Sequence, residues 1–206
     1  MDTELRDALK RTYSKQVDAR EAKEPETWKI EERGIFLEEL RKNGAKNLLE
    51  IGAGIGRDAQ FFQDQGLDVL ATDLTEENVF HCREKGLQAE VMDVCDLKLL
   101  SESFDAVYSL NCLLHVPKSE FQAALQNIRR VLKPAGLFFL GMYSGKDDEG
   151  IYQDDFAEPK RFFSRWRDET LKQQVSDLFV IFRFLAVELE KDADIHFQSL
   201  ILRKSS

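Results

Sequence analysis

One stretch constrains the fold more than any other: Leu48-Leu49-Glu50-Ile51-Gly52-Ala53-Gly54-Ile55-Gly56-Arg57-Asp58. A short apolar run enters three alternating glycines and then a polar segment with helical character. Glycine lets the backbone turn sharply and lets a ligand lie against the main chain. The helix that follows offers free amides at its N-terminus. In an open parallel sheet this turn lies at the carboxyl edge, where ligands bind. The spacing is G-x-G-x-G. A dinucleotide fingerprint needs its third glycine where this chain has Arg57, which argues against a nicotinamide cofactor.

The same rhythm continues along the chain. Short apolar runs at Asn47–Ile51, Asp68–Thr72, Gln88–Met92, Phe104–Leu110 and Leu137–Met142 alternate with helical segments at 57–65, 76–85 and 118–132. Strand and helix repeated this way predict a mostly parallel sheet covered on both faces, an α/β Rossmann-like three-layer sandwich. Gly66, Gly86 and Gly136 follow helices, where a left-handed cap is wanted. Thr75 can cap the helix that Glu76 opens, and Pro117 is placed for a helix start. Two amphipathic helices precede the rhythm, at 3–18 (Leu5, Leu9, Tyr13) and 26–42 (Trp28, Ile35, Phe36, Leu40), with Pro25 at the start of the second. Residues 144–164, acidic first and aromatic-basic later, read as a long functional loop. A helix at 165–177 and an antiparallel hairpin of Phe179–Glu188 and Ile195–Leu202, joined through Glu190–Asp194, close the chain. The expected organisation is one domain over 1–206: a helical cap at 1–43, a core at 44–143, a substrate loop and helix at 144–177, and the hairpin at 178–206.

Three acids stand at three successive strand ends. Glu50 suits an ammonium group, Asp73 the two hydroxyls of a ribose, and Asp93 an adenine amino group. A ligand with an ammonium, a ribose and a base, and without phosphates, is S-adenosylmethionine.

With these residues placed, the chain resembles the class I S-adenosylmethionine-dependent methyltransferases. The matching pieces are LLEIGAGIGRDAQFF, VLATDLTEENV, AEVMDVCDL, FDAVYSLNCLLHVP and IRRVLKPAGLFFLGMYSG, over about residues 46–145. GRDAQFF, LLHVP and RFFS narrow the likeness to small bacterial methyltransferases. The resemblance implies a seven-stranded sheet whose last strand is antiparallel. It also implies a cofactor site of Glu50, Gly52, Ala53, Gly54 and Gly56 around the methionine part, Asp73 and Leu74 at the ribose, Asp93 and Val94 at the adenine, and Ser109 and Asn111 near the sulfonium. S-adenosylhomocysteine would be the product.

The acceptor side is less determined. His115 follows the fourth strand at the edge where the methyl group should sit. An imidazole there is a candidate general base, or else a capping or packing group. Tyr13 and Trp28, on helices that can fold over the cofactor, and Arg161, Phe163 and Trp166, an aromatic-basic cluster, are the candidate substrate-binding residues. No cysteine or histidine spacing suits a metal, and Cys82, Cys95 and Cys112 read as reduced thiols of a cytoplasmic protein. Lys plus Arg is 29 against 38 for Asp plus Glu, a net charge of −9. That excess repels polyanions, so nucleic acid and anionic membranes are not the expected partners. The expected partner is a small-molecule methyl acceptor, taken by a monomer or homodimer. The alternatives are a tRNA or protein methyltransferase, and a non-catalytic cofactor-binding module.

Overall fold

The computed structural model describes residues 3–189 and 195–205. Seven strands form one sheet: β1 (Asn47–Ile51), β2 (Asp68–Asp73), β3 (Gln88–Val91), β4 (Phe104–Leu110), β5 (Leu132–Ser144), β8 (Phe179–Val187) and β9 (His196–Lys204). A separate two-stranded hairpin joins β6 (Asp148–Ile151) to β7 (Phe162–Arg165). The order across the large sheet is β3-β2-β1-β4-β5-β9-β8. β9 is antiparallel to both of its neighbours, and the β1 to β5 pairings are all parallel. The chain leaves β1 toward β2 and β3, then returns to the other side of β1 as β4. The switch point therefore falls between the carboxyl ends of β1 and β4, where such sheets hold ligands.

Side chains alternate across the sheet, as the two-residue period of a strand requires. Leu48, Ala106, Tyr108, Leu137, Phe139 and Ile201 face one cluster, built with Phe36, Leu40, Phe62 and Val79. Leu49, Val107, Phe138, Leu140, Leu200 and Leu202 face the other, built with Phe121, Leu125, Ile128, Trp166 and Leu171. Helices α3 (Thr27–Lys42), α4 (Arg57–Asp64) and α5 (Glu76–Glu84) thus cover the first face, and α6 (Lys118–Val131) and α7 (Asp168–Ser176) the second.

Several sequence expectations are corrected. The predicted helix over 3–18 is two, α1 (Thr3–Ser14) and α2 (Val17–Ala22), because the apolar spacing that Leu5, Leu9 and Tyr13 set ends at a turn in which Gln16 N–H donates to Tyr13 O. Residues 144–164 are not one long loop. The acidic half and the basic half pair across the β6–β7 hairpin, with Asp148 on Arg165 (2.7 Å) and Asp155 on Arg161 (2.8 Å). β5 starts earlier than its apolar run, since Leu132 already pairs with Phe104. Gly136 is not a left-handed cap. Ala135 takes the positive φ (61°), and a Cβ at Gly136 would stand 2.9 Å from the carbonyl oxygen of Lys133. The expected linker Glu190–Asp194 lies outside the described residues.

Candidate active site

The glycine turn is fixed to the sheet by its backbone. Gly52 N and Ala53 N both donate to the carbonyl oxygen at Thr72, the penultimate residue of β2 (2.8 and 2.9 Å). Gly52, Gly54 and Gly56 all have positive φ (73°, 54° and 77°), which side chains disfavour. A Cβ at Gly52 would lie 2.5 Å from the Cys112 Cβ, so the ends of β1 and β4 meet only because Gly52 has none. Gly56 does not face the ligand space. It caps α4 and presses on Leu87 and Cys82, which would stand 2.7 and 2.8 Å from a Cβ at this position. That packing corrects its expected cofactor contact.

A cavity of about 550 Å³ opens at this switch point, within the range of small-molecule sites. Its floor is Glu50, Gly52, Ala53, Gly54, Leu74, Thr75, Met92, Asp93, Val94 and Asn111, which brings together most of the expected cofactor residues. Its roof comes from α1, α2 and the hairpin: Tyr13, Arg20, Phe156, Arg161 and Phe163.

Glu50 is 2 % exposed, and its Oε2 has no hydrogen-bond partner. Burial and the nearby Asp58 charge push its carboxyl well above the usual range. A buried carboxylate oxygen left unpaired is costly unless a ligand donates to it. Asp73 is not a free acceptor for two hydroxyls. Its Oδ1 already takes Thr75 N, Thr75 Oγ1 and Asn78 Nδ2, and its Oδ2 takes Gly54 N (2.8 Å). Only Oδ2 has a lone pair left, enough for one hydroxyl. Asp93 Oδ1 accepts from Cys95 N (2.8 Å), and Oδ2 pairs with Arg6 of α1 (2.7 Å), which ties α1 to the third strand end. Ser109 is fully buried and does not line the cavity; Asp73, 9 % exposed, does not line it directly either but keeps its Oδ2 beside the lining Gly54. Asn111 does line it, with a φ of 55° held by Asn111 N donating to Gly141 O (2.7 Å).

On the acceptor side, His115 is held at both nitrogens. Nδ1 lies 2.7 Å from the carbonyl oxygen of Phe162, so Nδ1 carries the proton, and Nε2 accepts from the Tyr13 hydroxyl. Burial, helped by the charges of Arg161 and Arg20, lowers its pKa to about 3. His115 is therefore neutral and occupied, which corrects its expected role as a free base. Trp28 and Trp166 leave the substrate-binding set for a similar reason. Trp28 packs on Phe197 (4.3 Å between rings) and backs Tyr143, which does face the cavity. Trp166 is 5 % exposed, packed in the core on Phe121, with its backbone N–H donating to Ser144 Oγ (2.5 Å). Cys112 also lines the cavity, but burial pushes its thiol up, so no thiolate is available there. Sequence reasoning missed Arg20, Tyr143 and Phe156 as cavity residues. The tyrosine lies near the end of the buried strand β5, and the other two look like ordinary surface positions in the sequence. Among the described residues no group of three His, Cys, Asp or Glu could hold a metal ion, and no helix is long and apolar enough to cross a membrane.

Comparison with known proteins agrees with this architecture. A methyltransferase domain model matches residues 49–140. A sterol 24-C-methyltransferase of Gibberella zeae is 31% identical over 129 residues, covering 58% of this chain and 32% of that protein. A tRNA N(3)-methylcytidine methyltransferase of Schizosaccharomyces pombe is 27% identical over 135 residues, covering 58% of this chain and 44% of that one. The chain thus spans less than half the length of these two relatives. Among solved structures, the 1,6-didemethyltoxoflavin-N1-methyltransferase of Burkholderia thailandensis, with its substrate and S-adenosylhomocysteine bound, has the same fold, with a TM-score of 0.77 at 22% identity. That match covers 98% of this chain and 90% of that one. Residues 49–140 thus match a methyltransferase domain, and the chain has the fold of the solved S-adenosylmethionine-dependent enzyme. Its cavity fits the family's cofactor on its own evidence: an orphaned buried carboxylate oxygen faces it, beside a glycine turn without side chains.

Proposed function

We propose that this chain transfers a methyl group from S-adenosylmethionine to a nitrogen, oxygen or sulfur atom of a small-molecule acceptor. The observation that carries this reading is the unpartnered Glu50 oxygen in a roofed cavity at the switch point. Bound there, the cofactor supplies an electrophilic methyl carbon on a sulfonium leaving group. Glu50 would hold the ammonium. Asp73 Oδ2 would take one ribose hydroxyl beside Leu74. Asp93 and Val94 would border the base.

The rest of the work is positioning. Tyr13, Tyr143, Phe156 and Phe163 wall the remaining space with aromatic faces, which suit a planar or cationic acceptor. Holding two reactants in line can contribute roughly 7–11 kcal/mol. The Tyr13 hydroxyl donates its hydrogen bond to His115 and accepts one from Arg161 Nη1 (3.4 Å), which leaves one lone pair on its oxygen to orient an N–H or O–H of the acceptor. No general base is required for an acceptor that arrives deprotonated. The aromatic walls favour the sulfonium cation, so they release the thioether product more readily than they release the donor.

Enclosure favours a small acceptor over a macromolecular one. α1, α2 and the hairpin close over the cavity, where Thr12 Oγ1 donates to Pro159 O (2.5 Å). The net charge of −9 also disfavours RNA. Likeness to a tRNA methyltransferase keeps that acceptor as the second reading. The test follows S-adenosylhomocysteine release over a panel of amines, phenols, thiols and carboxylates, with tRNA and protein alongside. Turnover on a small molecule is expected. Turnover on tRNA or protein alone would overturn the small-molecule reading.

A further inference from the structure

Arg161 stands just before β7 and lines the cavity from the roof. One edge of its guanidinium is committed. Nε donates to Asp155 Oδ2 and Nη2 to Asp155 Oδ1, both at 2.8 Å. Asp155 is fixed in turn by the backbone N–H of Arg161 (3.0 Å). The rings of Tyr13, Phe156 and Phe163 lie 5.7, 5.0 and 5.2 Å from the guanidinium carbon, and the side chain is 12 % exposed. What remains is the other edge, Nη1 with the second hydrogen of Nη2. Among the described residues Nη1 has only a long contact, 3.4 Å to the Tyr13 hydroxyl. Asn111, at the end of β4, is oriented in a similar way. Its Oδ1 accepts from Tyr143 N (3.3 Å), which leaves Nδ2 as a donor without a partner among the described residues.

A guanidinium locked on one edge presents two parallel N–H groups on the other, and their complement is a planar carboxylate. Asp155 already offsets the charge of Arg161, so a singly charged carboxylate is better matched than a phosphate that approaches two charges. We propose that the methyl acceptor is a planar aromatic carboxylic acid, its carboxylate on the free edge of Arg161 and a neighbouring N–H or O–H on the remaining lone pair of the Tyr13 oxygen. This rests on the methyltransferase reading above and narrows it. The aromatic walls suit a planar or a cationic acceptor, and Arg161 repels the cation. Asn111 Nδ2 offers a further donor to an oxygen of the same ligand. Arg161 thus grips a part of the acceptor that does not react, and that binding energy orients the atom that does.

The test is calorimetry on the protein saturated with S-adenosylhomocysteine. The titrants are the ortho, meta and para aminobenzoates, their carboxamides, phenyl phosphate and benzylamine. At least one aminobenzoate is expected to bind about 10-fold more tightly than its carboxamide, the scale of a charge-assisted hydrogen bond. It should also bind more tightly than phenyl phosphate or benzylamine. Arg161→Gln combined with Asp155→Asn removes the charged edge without leaving a buried carboxylate alone. That variant should lose the preference for acid over carboxamide and still bind S-adenosylhomocysteine. Arg161→Lys, a single point charge, should keep part of the preference, and it replaces the double variant if that one does not melt cooperatively. Equal binding of acid and carboxamide, tighter binding of phenyl phosphate or benzylamine, or no binding of any aminobenzoate would overturn the proposal. So would a preference that survives the double variant. If wild type takes up no S-adenosylhomocysteine, the methyltransferase reading itself falls, and this proposal with it.

Discussion

The floor of the cavity and its roof are held by different means. The floor is main chain: glycine amides on Thr72 O, β1 against β4 through Gly52 and Cys112, and Asp73 fixed by local donors that leave one lone pair on Oδ2. The roof is side chain: Arg6 on Asp93, Tyr13 on His115, Thr12 on the Pro159 carbonyl, and Arg161 on Asp155. Backbone joints tolerate almost no substitution but need little specific chemistry. Side-chain joints can be exchanged one at a time. The difference suggests a rigid cofactor floor beneath a roof that can adapt to different acceptors.

The contrast can be broken or sharpened by substitution. The largest effect is expected at Trp166, because it is core rather than substrate wall. Trp166→Ala should cost about 3–5 kcal/mol in denaturant unfolding, and a purely catalytic defect in a fully stable protein would return Trp166 to the acceptor site. Gly52→Ala should cost about 2–4 kcal/mol, since it combines positive φ with a Cβ contact of 2.5 Å. A stable Gly52→Ala protein would show that the floor is softer than its contacts imply. Glu50→Gln should weaken cofactor binding by about 10- to 100-fold, yet leave the ligand-free protein as stable or more so, because it neutralises an orphaned buried acid. Lost stability there would make Glu50 a structural group. Tyr13→Phe should lower kcat by about 10-fold while leaving cofactor affinity within about 2-fold. A cofactor defect would place Tyr13 on the floor side of the boundary.

The last effect concerns pH. The folded protein keeps His115 neutral down to about pH 3, whereas an unfolded histidine takes a proton near 6.5. The unfolded state therefore binds more protons between those values, and stability should fall as pH drops from about 6.5 toward 3. His115→Asn should flatten that part of the slope. An unchanged slope would mean that His115 is not the group responsible.

The floor was largely legible in the sequence because its signals are local. Strand period, alternating glycines and an acid at each strand end all fall within a few residues of one another, so Glu50, Gly52, Gly54 and Asp93 could be placed before any contact was known. What Asp73 bonds to was not legible, because its donors include Asn78, in the following helix. The roof resisted for a related reason. Trp28 and Trp166 have the same residue chemistry as a ligand wall, and only tertiary packing against Phe197 and Phe121 makes them supports. The strand Asp148–Ile151 carries too little apolar alternation to announce itself, and its pairing with Phe162–Arg165 depends on charges that look like solvated surface in a linear reading. Arg20 had no local signature at all, since its place in the cavity wall depends on a glycine turn more than thirty residues away.

A cavity built for an adenosyl amino acid should declare itself in binding before any acceptor is known. The most direct measurement is equilibrium binding of S-adenosylhomocysteine to the folded protein, with NADH as the competing test ligand. One S-adenosylhomocysteine bound per chain and no binding of NADH is the expected result. A cooperatively folded protein that binds no S-adenosylhomocysteine, or that prefers NADH, would contradict it.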